Sequence, residues 1–411
     1  MTLIDLQTDV DVSGFVTPEF ERVRHAFEDN FTQRGETGAA CTIYYRGEKV
    51  VDLWGGHQCD ASDTPWNQRT LTLSFSVTKG MAAAALAVAH SRGLFDLDEP
   101  VATYWPEFGQ NGKARITVRQ LLDHQAGLIS IRPSLNAERL TDHDALARII
   151  AKQRPQWAPG SRHGYHTLSL GWYQNELIRR IDPMQRSLGQ YFQDEIAQPL
   201  GIDFYIGLPR HVDTERLSTI KGFHRISLLR HLNELPPKMV LSGIWPRSLV
   251  SKSIRILRVD NPAELASEKY RHLEIPSANG IGQARAVARV YDVLARGGKE
   301  LQIKPSTYRE LISPAMVPVA GEYDAILTLN TKYNFGFSRP SRDFRFGVDD
   351  AAFGCPGAGG SFGMGDPSAQ VGFAYLTNKM GFRLFDDPRE KAVRDACYQS
   401  LAALRSQSVA A

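Results

Sequence analysis

Cysteine is scarce in this sequence and long apolar runs are missing. Four cysteines stand among 411 residues, Cys41, Cys59, Cys355 and Cys397. None belongs to a Cys-x-x-Cys pair, which argues against a zinc site of the usual spacing and leaves disulfides unimplied. No stretch approaches about 18 consecutive apolar residues, so no membrane span is expected. An excess of one charge is also missing, since 48 Lys and Arg nearly balance 45 Asp and Glu. That leaves no strong overall field to attract nucleic acid or an anionic membrane. The first ten residues, Met1 to Val10, are acidic and carry no apolar h-region. They predict no signal peptide and a cytoplasmic, reducing setting. Internal repeats and low-complexity tracts are absent as well.

What is present suits a large folded enzyme. Hydrophobic residues make up 42% and aromatic residues 9%, enough for one large domain or two intimate ones. Pro18 to Arg34 has Phe20, Val23, Phe27 and Phe31 at helical spacing. Residues 40–45 and 49–54 are strand-like, and Arg46-Gly47-Glu48 between them predicts a hairpin. Helical patterns follow at 76–92, 118–123, 142–152, 168–181 and 188–196. Residues 203–276 show no clean period and are expected to form an irregular insertion bordering the site. Gly282–Arg296 reads as a helix, Tyr333–Ser338, Phe344–Val348 and Val371–Thr377 as strands, and Pro388–Leu404 as a final helix. A hairpin at one end and strands at the other predict one antiparallel sheet built from both chain ends, because an isolated hairpin is not stable alone. The expected class is α/β (α+β). Residues 1–75 with 277–411 would form the sheet domain, and 76–276 a mostly helical domain.

The most informative stretch is Ser76-Val77-Thr78-Lys79, followed by Met81-Ala-Ala-Ala-Ala-Leu-Ala-Val88. A Ser and a Lys three apart on a helix share one face. Burial lowers the pKa of a lysine, so a buried Lys79 can act as a neutral base beside the Ser76 hydroxyl. Such a pair makes an activated nucleophile without a histidine. Ser-x-x-Lys also arises by chance about once in a chain this long. Ser218-Thr-Ile-Lys221 is such a repeat, and it lies among loop-like, charged residues that read as surface.

Two further elements support Ser76. Trp157-Ala-Pro-Gly160 leads through Gly164 to Tyr165-His166-Thr167, just ahead of a helix. A tyrosine there can hold its hydroxyl toward a cavity, although an ordinary half-buried tyrosine fits the same pattern. Phe353-Gly-Cys-Pro-Gly-Ala-Gly-Gly-Ser-Phe-Gly363 is dense in glycine, which lets backbone N–H groups approach a ligand as an oxyanion hole would.

Together these elements resemble the serine β-lactamase-like hydrolases: the branch of class C β-lactamases, DD-peptidases and family VIII carboxylesterases, and most of all the carboxylesterases. Ser76-x-x-Lys79 is similar to the first motif of that family. Tyr165-His166-Thr167 is similar to its Tyr-x-Asn, with Thr in place of Asn. Cys355-Pro356-Gly357 falls where the family has Lys-Thr-Gly or His-x-Gly. Residues 115–128 and Ile275-Pro-Ser-Ala-Asn279-Gly280 agree too. The resemblance implies a Ser76–Lys79–Tyr165 centre, an oxyanion hole from the N–H groups of Ser76 and Ala358, and substrate contacts at Thr167, Cys355, Gly357 and Asn279. It implies no cofactor and no metal. Cys355 supplies no cation for a substrate carboxylate and Thr167 lacks an amide, so small neutral esters of short acyl chain are the expected substrates. Acyl transfer or amide hydrolysis, as in β-lactamases and DD-peptidases, is the alternative within enzymes. An inactive scaffold keeping the fold is the alternative outside them. The natural ester and the oligomeric state stay open.

Other motifs compete for attention. Gly359-Gly-Ser361-Phe-Gly363 matches the nucleophile elbow of α/β-hydrolases. That elbow needs a histidine later in the chain, and all eleven histidines lie at or before His272. His124 reads as a structural residue closing a helix. His163 and His166 lack partners at metal-ligand spacing and are expected at a pocket edge or on the surface.

Overall fold

The computed structural model describes residues 11–410 except 60, 223–230, 232–233 and 260. Its larger sheet begins with β1 (Val12–Val16), β2 (Gly38–Tyr45) and β3 (Glu48–Cys59), with β4 (Thr64–Pro65) as a short addition to β3. A smaller sheet joins β5 (Thr72–Leu73), β6 (Phe204–Ile206) and β7 (Gly280–Gly282), with β7 in the middle. The larger sheet is completed by β8 (Lys332–Asn334), β9 (Phe337–Arg339), β10 (Phe353–Pro356), β11 (Phe362–Asp366) and β12 (Val371–Thr377). Its order is β1-β3-β2-β12-β11-β10-β9-β8, antiparallel throughout. The two chain ends meet where β2 pairs with β12, with Ile43 opposite Phe373. The predicted sheet from both ends of the chain is therefore present. Arg46 and Gly47 both take positive φ, 54° and 89°, the pair that a right-twisted two-residue hairpin demands.

Three local expectations need correction, and two elements were not expected. Tyr333–Ser338 is not one strand but the tight hairpin of β8 and β9, reversed at Phe335 and Gly336, which both have positive φ. Phe344–Val348 forms no strand; Phe344 and Phe346 pack edgewise on Phe362 instead. The helix expected from Gly282 runs Ala284–Ala295, because Gly280–Gly282 is taken by β7. β1 and the helix Pro305–Ile312 were not anticipated.

Helices cover both faces of the larger sheet. On one side α1 (Glu21–Thr32) and the helix Pro388–Ala410 bury Phe27, Phe31, Val393 and Cys397 against it. On the other the helix Ala284–Ala295 packs over β2, β11 and β12. Beyond that helix lies α2 (Val77–Ser91), in which every residue but His90 is buried. A helix apolar all round must be enclosed on all sides, and its run of alanines lets neighbours come close. Gly80 shows how close, since a Cβ there would lie 2.1 Å from the Tyr291 hydroxyl. Among the described residues of 203–276 are β6, the helices Pro237–Ile244, Leu249–Ile254 and Glu268–Arg271, and the short turns of 3-10 helix Thr214–Arg216 and Pro262–Ala266. No described helix is long and apolar enough to cross a membrane.

Candidate active site

Ser76 sits at the first turn of α2, at the end of the large cavity. Serine at such a position ordinarily caps the helix by accepting a backbone N–H, but the Ser76 side chain makes no capping bond. The preceding Phe75 is held in left-handed backbone, φ 48°, an unfavourable conformation for a bulky residue. The entry into α2 is nonetheless secured by Val77, Thr78 and Lys79 N–H groups donating to the carbonyls of Ser74, Phe75 and Ser76. The Ser76 hydroxyl is thus not engaged in capping the helix.

Lys79 lies one turn on and is fully buried. Its Nζ is 3.1 Å from Ser76 Oγ and 2.8 Å from each of two backbone carbonyls, Thr167 and Ser277. Burial pulls its pKa down to about 7, against a small opposing pull from Cys355. A neutral amine has two N–H donors and one lone pair. When the amine is neutral and both donors are on these carbonyls, its lone pair is what remains for the Ser76 hydroxyl; the charged form donates to that hydroxyl instead. The two carbonyls are themselves fixed. Thr167 precedes the helix Ser169–Ile181, and that helix packs so tightly on residues 276–277 that a Cβ on Gly171 would lie 2.5 Å from Ser277 N. The Gly171 N–H donates to Ser277 Oγ at 2.7 Å.

Tyr165 completes the cluster. Its hydroxyl lies at the same polar end of the cavity as Ser76, and burial raises its pKa far above the usual phenol range, so it is a neutral O–H. The Lys79 amine lies 4.8 Å from its ring centroid. Its backbone is strapped from two sides. The Tyr165 N–H donates to Asp324 Oδ1 at 3.2 Å, and the His166 N–H donates to His124 Nδ1 at 3.0 Å. Nε2 of His166 accepts the Leu128 N–H at 3.0 Å. Each imidazole accepts a backbone N–H through an unprotonated nitrogen, so both rings are neutral. Burial holds His124 well below its ordinary pKa and His166 at about 3. His163 and His166 are therefore interior residues, not the edge or surface residues expected. His124, with φ 60° just past the helix Val118–Leu122, is structural as predicted.

The cavity beside these groups measures about 410 Å³. Its polar end is Ser76, Tyr165 and Thr167 with Pro356, Gly357 and Ala358 at the end of β10. Its walls are mostly apolar, including Met239, Ile254, Leu257, Leu265, Ile326 and Leu327, with Arg383 also on the lining. Among the described residues no backbone acceptor pairs with the N–H of Ser76 or of Ala358. Both sit where a helix start and a strand end converge on the cavity.

Not every expected contact is here. Thr167 and Gly357 line the cavity, but Cys355 and Asn279 do not. Cys355 points beneath α2, where its thiol donates to the Ser76 carbonyl at 3.0 Å. Burial raises its pKa to about 11. Asn279 is fully buried, with its amide donating to the carbonyls of Tyr270 and Leu273 and accepting the Ile275 N–H. It shapes the loop that presents Ser277 and does not line the cavity at Ser76. Ser218 is also not at the surface: it is buried, and its hydroxyl donates to Thr72 Oγ1 at 2.7 Å. Ser361 leads into a strand rather than a helix and accepts the Thr377 N–H, which removes the elbow reading. Residues missed from the sequence are Ser277, Asp324 and Tyr333. Asp324 accepts the N–H groups of Tyr165, Ile326 and Leu327 and pairs with the Tyr333 hydroxyl at 3.3 Å. Backbone carbonyls and folded-back carboxylates leave no spacing signature.

A helix-borne Ser-x-x-Lys, a tyrosine and a strand-end turn on an antiparallel sheet define a serine hydrolase of β-lactamase-like architecture. The sequence matches the beta-lactamase family over residues 23–398, and the chain belongs to that family. It is 31% identical to the esterase/beta-lactamase LipL of Mycobacterium tuberculosis over 90% of this chain and 83% of that protein. A family VIII carboxylesterase structure superposes with a TM-score of 0.83 at 33% identity, covering 95% of this chain and 100% of the other. A penicillin-binding protein homolog from Caulobacter crescentus gives 0.80 at 33% identity, over 95% and 100%. EstA from Arthrobacter nitroguajacolicus Rue61a gives 0.82 at 28% identity, over 95% and 99%.

Proposed function

We propose that this enzyme hydrolyses carboxylic esters of short acyl chain through an acyl-enzyme on Ser76. The observation that carries the reading is the placement of Lys79 Nζ, 3.1 Å from Ser76 Oγ with two carbonyls occupying its N–H donors. Lys79 takes the Ser76 proton as the oxygen attacks the acyl carbon. The N–H groups of Ser76 and Ala358 receive the oxyanion, helped by the positive end of α2. Tyr165, a neutral phenol beside Ser76, gives its proton to the departing alkoxide. The proton on Lys79 then passes to the Tyr165 phenolate, since the acylated Ser76 oxygen has no proton to relay. Water attacks the acyl group with the same pair as base, the acid leaves, and Ser76 recovers its proton. The relatives named as esterases support the ester reading, as does the apolar wall. No cation stands at the end of β10, where Pro356, Gly357 and Ala358 face the substrate.

β-Lactam hydrolysis is the second reading, favoured by one observation: Arg383 lines the cavity. Its Nε lies 3.6 Å from Glu234, which competes for any substrate carboxylate. The deciding comparison is p-nitrophenyl butyrate against a chromogenic cephalosporin. We expect the ester to lead by about a thousandfold in kcat/KM, roughly 4 kcal/mol of differential transition-state binding. Comparable efficiencies would return β-lactamase to first place.

A further inference from the structure

The near-neutral charge of the whole chain conceals a local asymmetry. From Leu235 to Val259 the sequence holds Lys238, Arg247, Lys252, Arg255 and Arg258, and no Asp or Glu. The helix Pro237–Ile244 in this stretch turns Leu241 and Ile244 outward, with Trp245 directly after it. These three, at i, i+3 and i+4, share one helical face, and they are 70%, 72% and 68% exposed. Large apolar side chains clustered so openly mark a surface that meets something apolar.

A second observation lies beside them. Ser130, Arg132, Ser134, Pro246, Lys252 and Arg255 line a hollow of about 360 Å³ that is separate from the cavity at Ser76. It holds three cations and two hydroxyls and no carboxylate. Among the described residues none of the three cations is in an ion pair; the Lys252 amine donates to the Gln156 amide oxygen at 3.1 Å. Three unneutralised cations around hydroxyls make a receptor for a phosphate oxygen cluster. Pro246 belongs to this hollow and directly follows the exposed Trp245, so the anion site and the apolar face are one continuous surface.

We propose that this surface docks the enzyme on an anionic phospholipid bilayer. Leu241, Ile244 and Trp245 enter the headgroup boundary, and Arg132, Lys252 and Arg255 take a lipid phosphate. An apolar face bordered by cations is the pattern of helices that lie in a membrane interface, and tryptophan concentrates at that depth. A bare protein partner would not require the phosphate hollow, and free phosphate would not require the apolar face. Ile254 is half-exposed and also lines the cavity, so docking sets the cavity mouth at the lipid surface.

The test is co-sedimentation of the full chain with phosphatidylcholine vesicles, with and without phosphatidylglycerol. Binding is expected only with the anionic lipid, and is expected to weaken in high salt. The triple variants R132Q/K252Q/R255Q and L241S/I244S/W245S are each expected to lower vesicle affinity by about tenfold or more. Both are expected to keep the wild-type rate on a water-soluble ester in the absence of vesicles. Salt dependence of the unaltered protein serves as the check that needs no variant. The proposal is overturned by absence of vesicle binding, by equal binding to neutral and anionic vesicles, or by full binding of either variant. Capture of inorganic phosphate without vesicle binding also overturns it, as does concentration-dependent self-association through the apolar face in its place.

Discussion

The chain carries the same four-residue pattern twice, and only one copy has the geometry of a nucleophile. At Ser76–Lys79 the backbone is helical, so the two side chains fall on one face and the amine reaches the hydroxyl. At Ser218–Lys221 the backbone is not helical. The Ser218 N–H donates to the Leu71 carbonyl, the Lys221 N–H donates to the Asn378 carbonyl, and the Ser218 hydroxyl turns to Thr72. The difference teaches that Ser-x-x-Lys carries meaning only as a statement about a helix. Burial supplies the rest. Lys79 has no exposed surface and its nitrogen faces two carbonyls, a hydroxyl and the Tyr165 ring, with no carboxylate paired to it; burial of this kind turns an ammonium into a base.

The largest effect should separate the two serines. Ser76→Ala is expected to lose about ten-thousandfold or more in kcat, while Ser218→Ala stays near wild type. Peptide mapping after a fluorophosphonate probe should find the adduct on Ser76, and an adduct on Ser218 or Ser361 would break the contrast. The two lysines come next. Lys79→Ala and Tyr165→Phe are each expected to cost about a hundredfold or more in kcat. Lys79→Arg should fare no better, because a guanidinium stays charged. Lys221→Ala should change little, and a comparable loss there would remove the distinction between the copies.

pH sharpens the same point. With its pKa at about 7, Lys79 gains a proton as pH falls through neutrality and loses its lone pair. The rate kcat/KM should therefore fall about tenfold per pH unit below that point and level off above it. The neutral pair His124 and His166 titrates far lower and adds no limb near neutrality. A limb above pH 10, at the ordinary lysine value, would mean that burial does not tune the amine. The smallest effect concerns Cys355. Its thiol touches the Ser76 carbonyl and not the cavity, so Cys355→Ala should keep kcat within about threefold and lower stability by about 1–2 kcal/mol, read from a denaturant midpoint.

Much of this was legible in the sequence. The long helices, the β2–β3 hairpin and the joining of both chain ends follow from periodicity and turn residues, which act locally. Ser76, Lys79 and Tyr165 could be singled out because each combines a reactive type with a helix or turn beside it. What stayed hidden is non-local. The carbonyls that fix Lys79 belong to Thr167 and Ser277, and any residue has a carbonyl. Asp324 is read correctly only once its loop folds back onto the Tyr165 N–H. The place of Cys355 in the chain points to the substrate, yet β10 directs its side chain beneath α2. Asn279 was misplaced for a similar reason, since a polar residue in a site-forming loop can hold the loop instead of the ligand.

The pairing of β2 with β12 also sets an order of events during synthesis. A ribosome releases β2 and β3 early, and β2 keeps a bare edge of N–H and C=O groups until Val371–Thr377 emerges. Open edges of that kind invite pairing with other chains. The turn that carries Ala358 is supported by β11, whose other edge is β12. A chain that stops before Val371 would thus lack both its seam and a finished reaction centre.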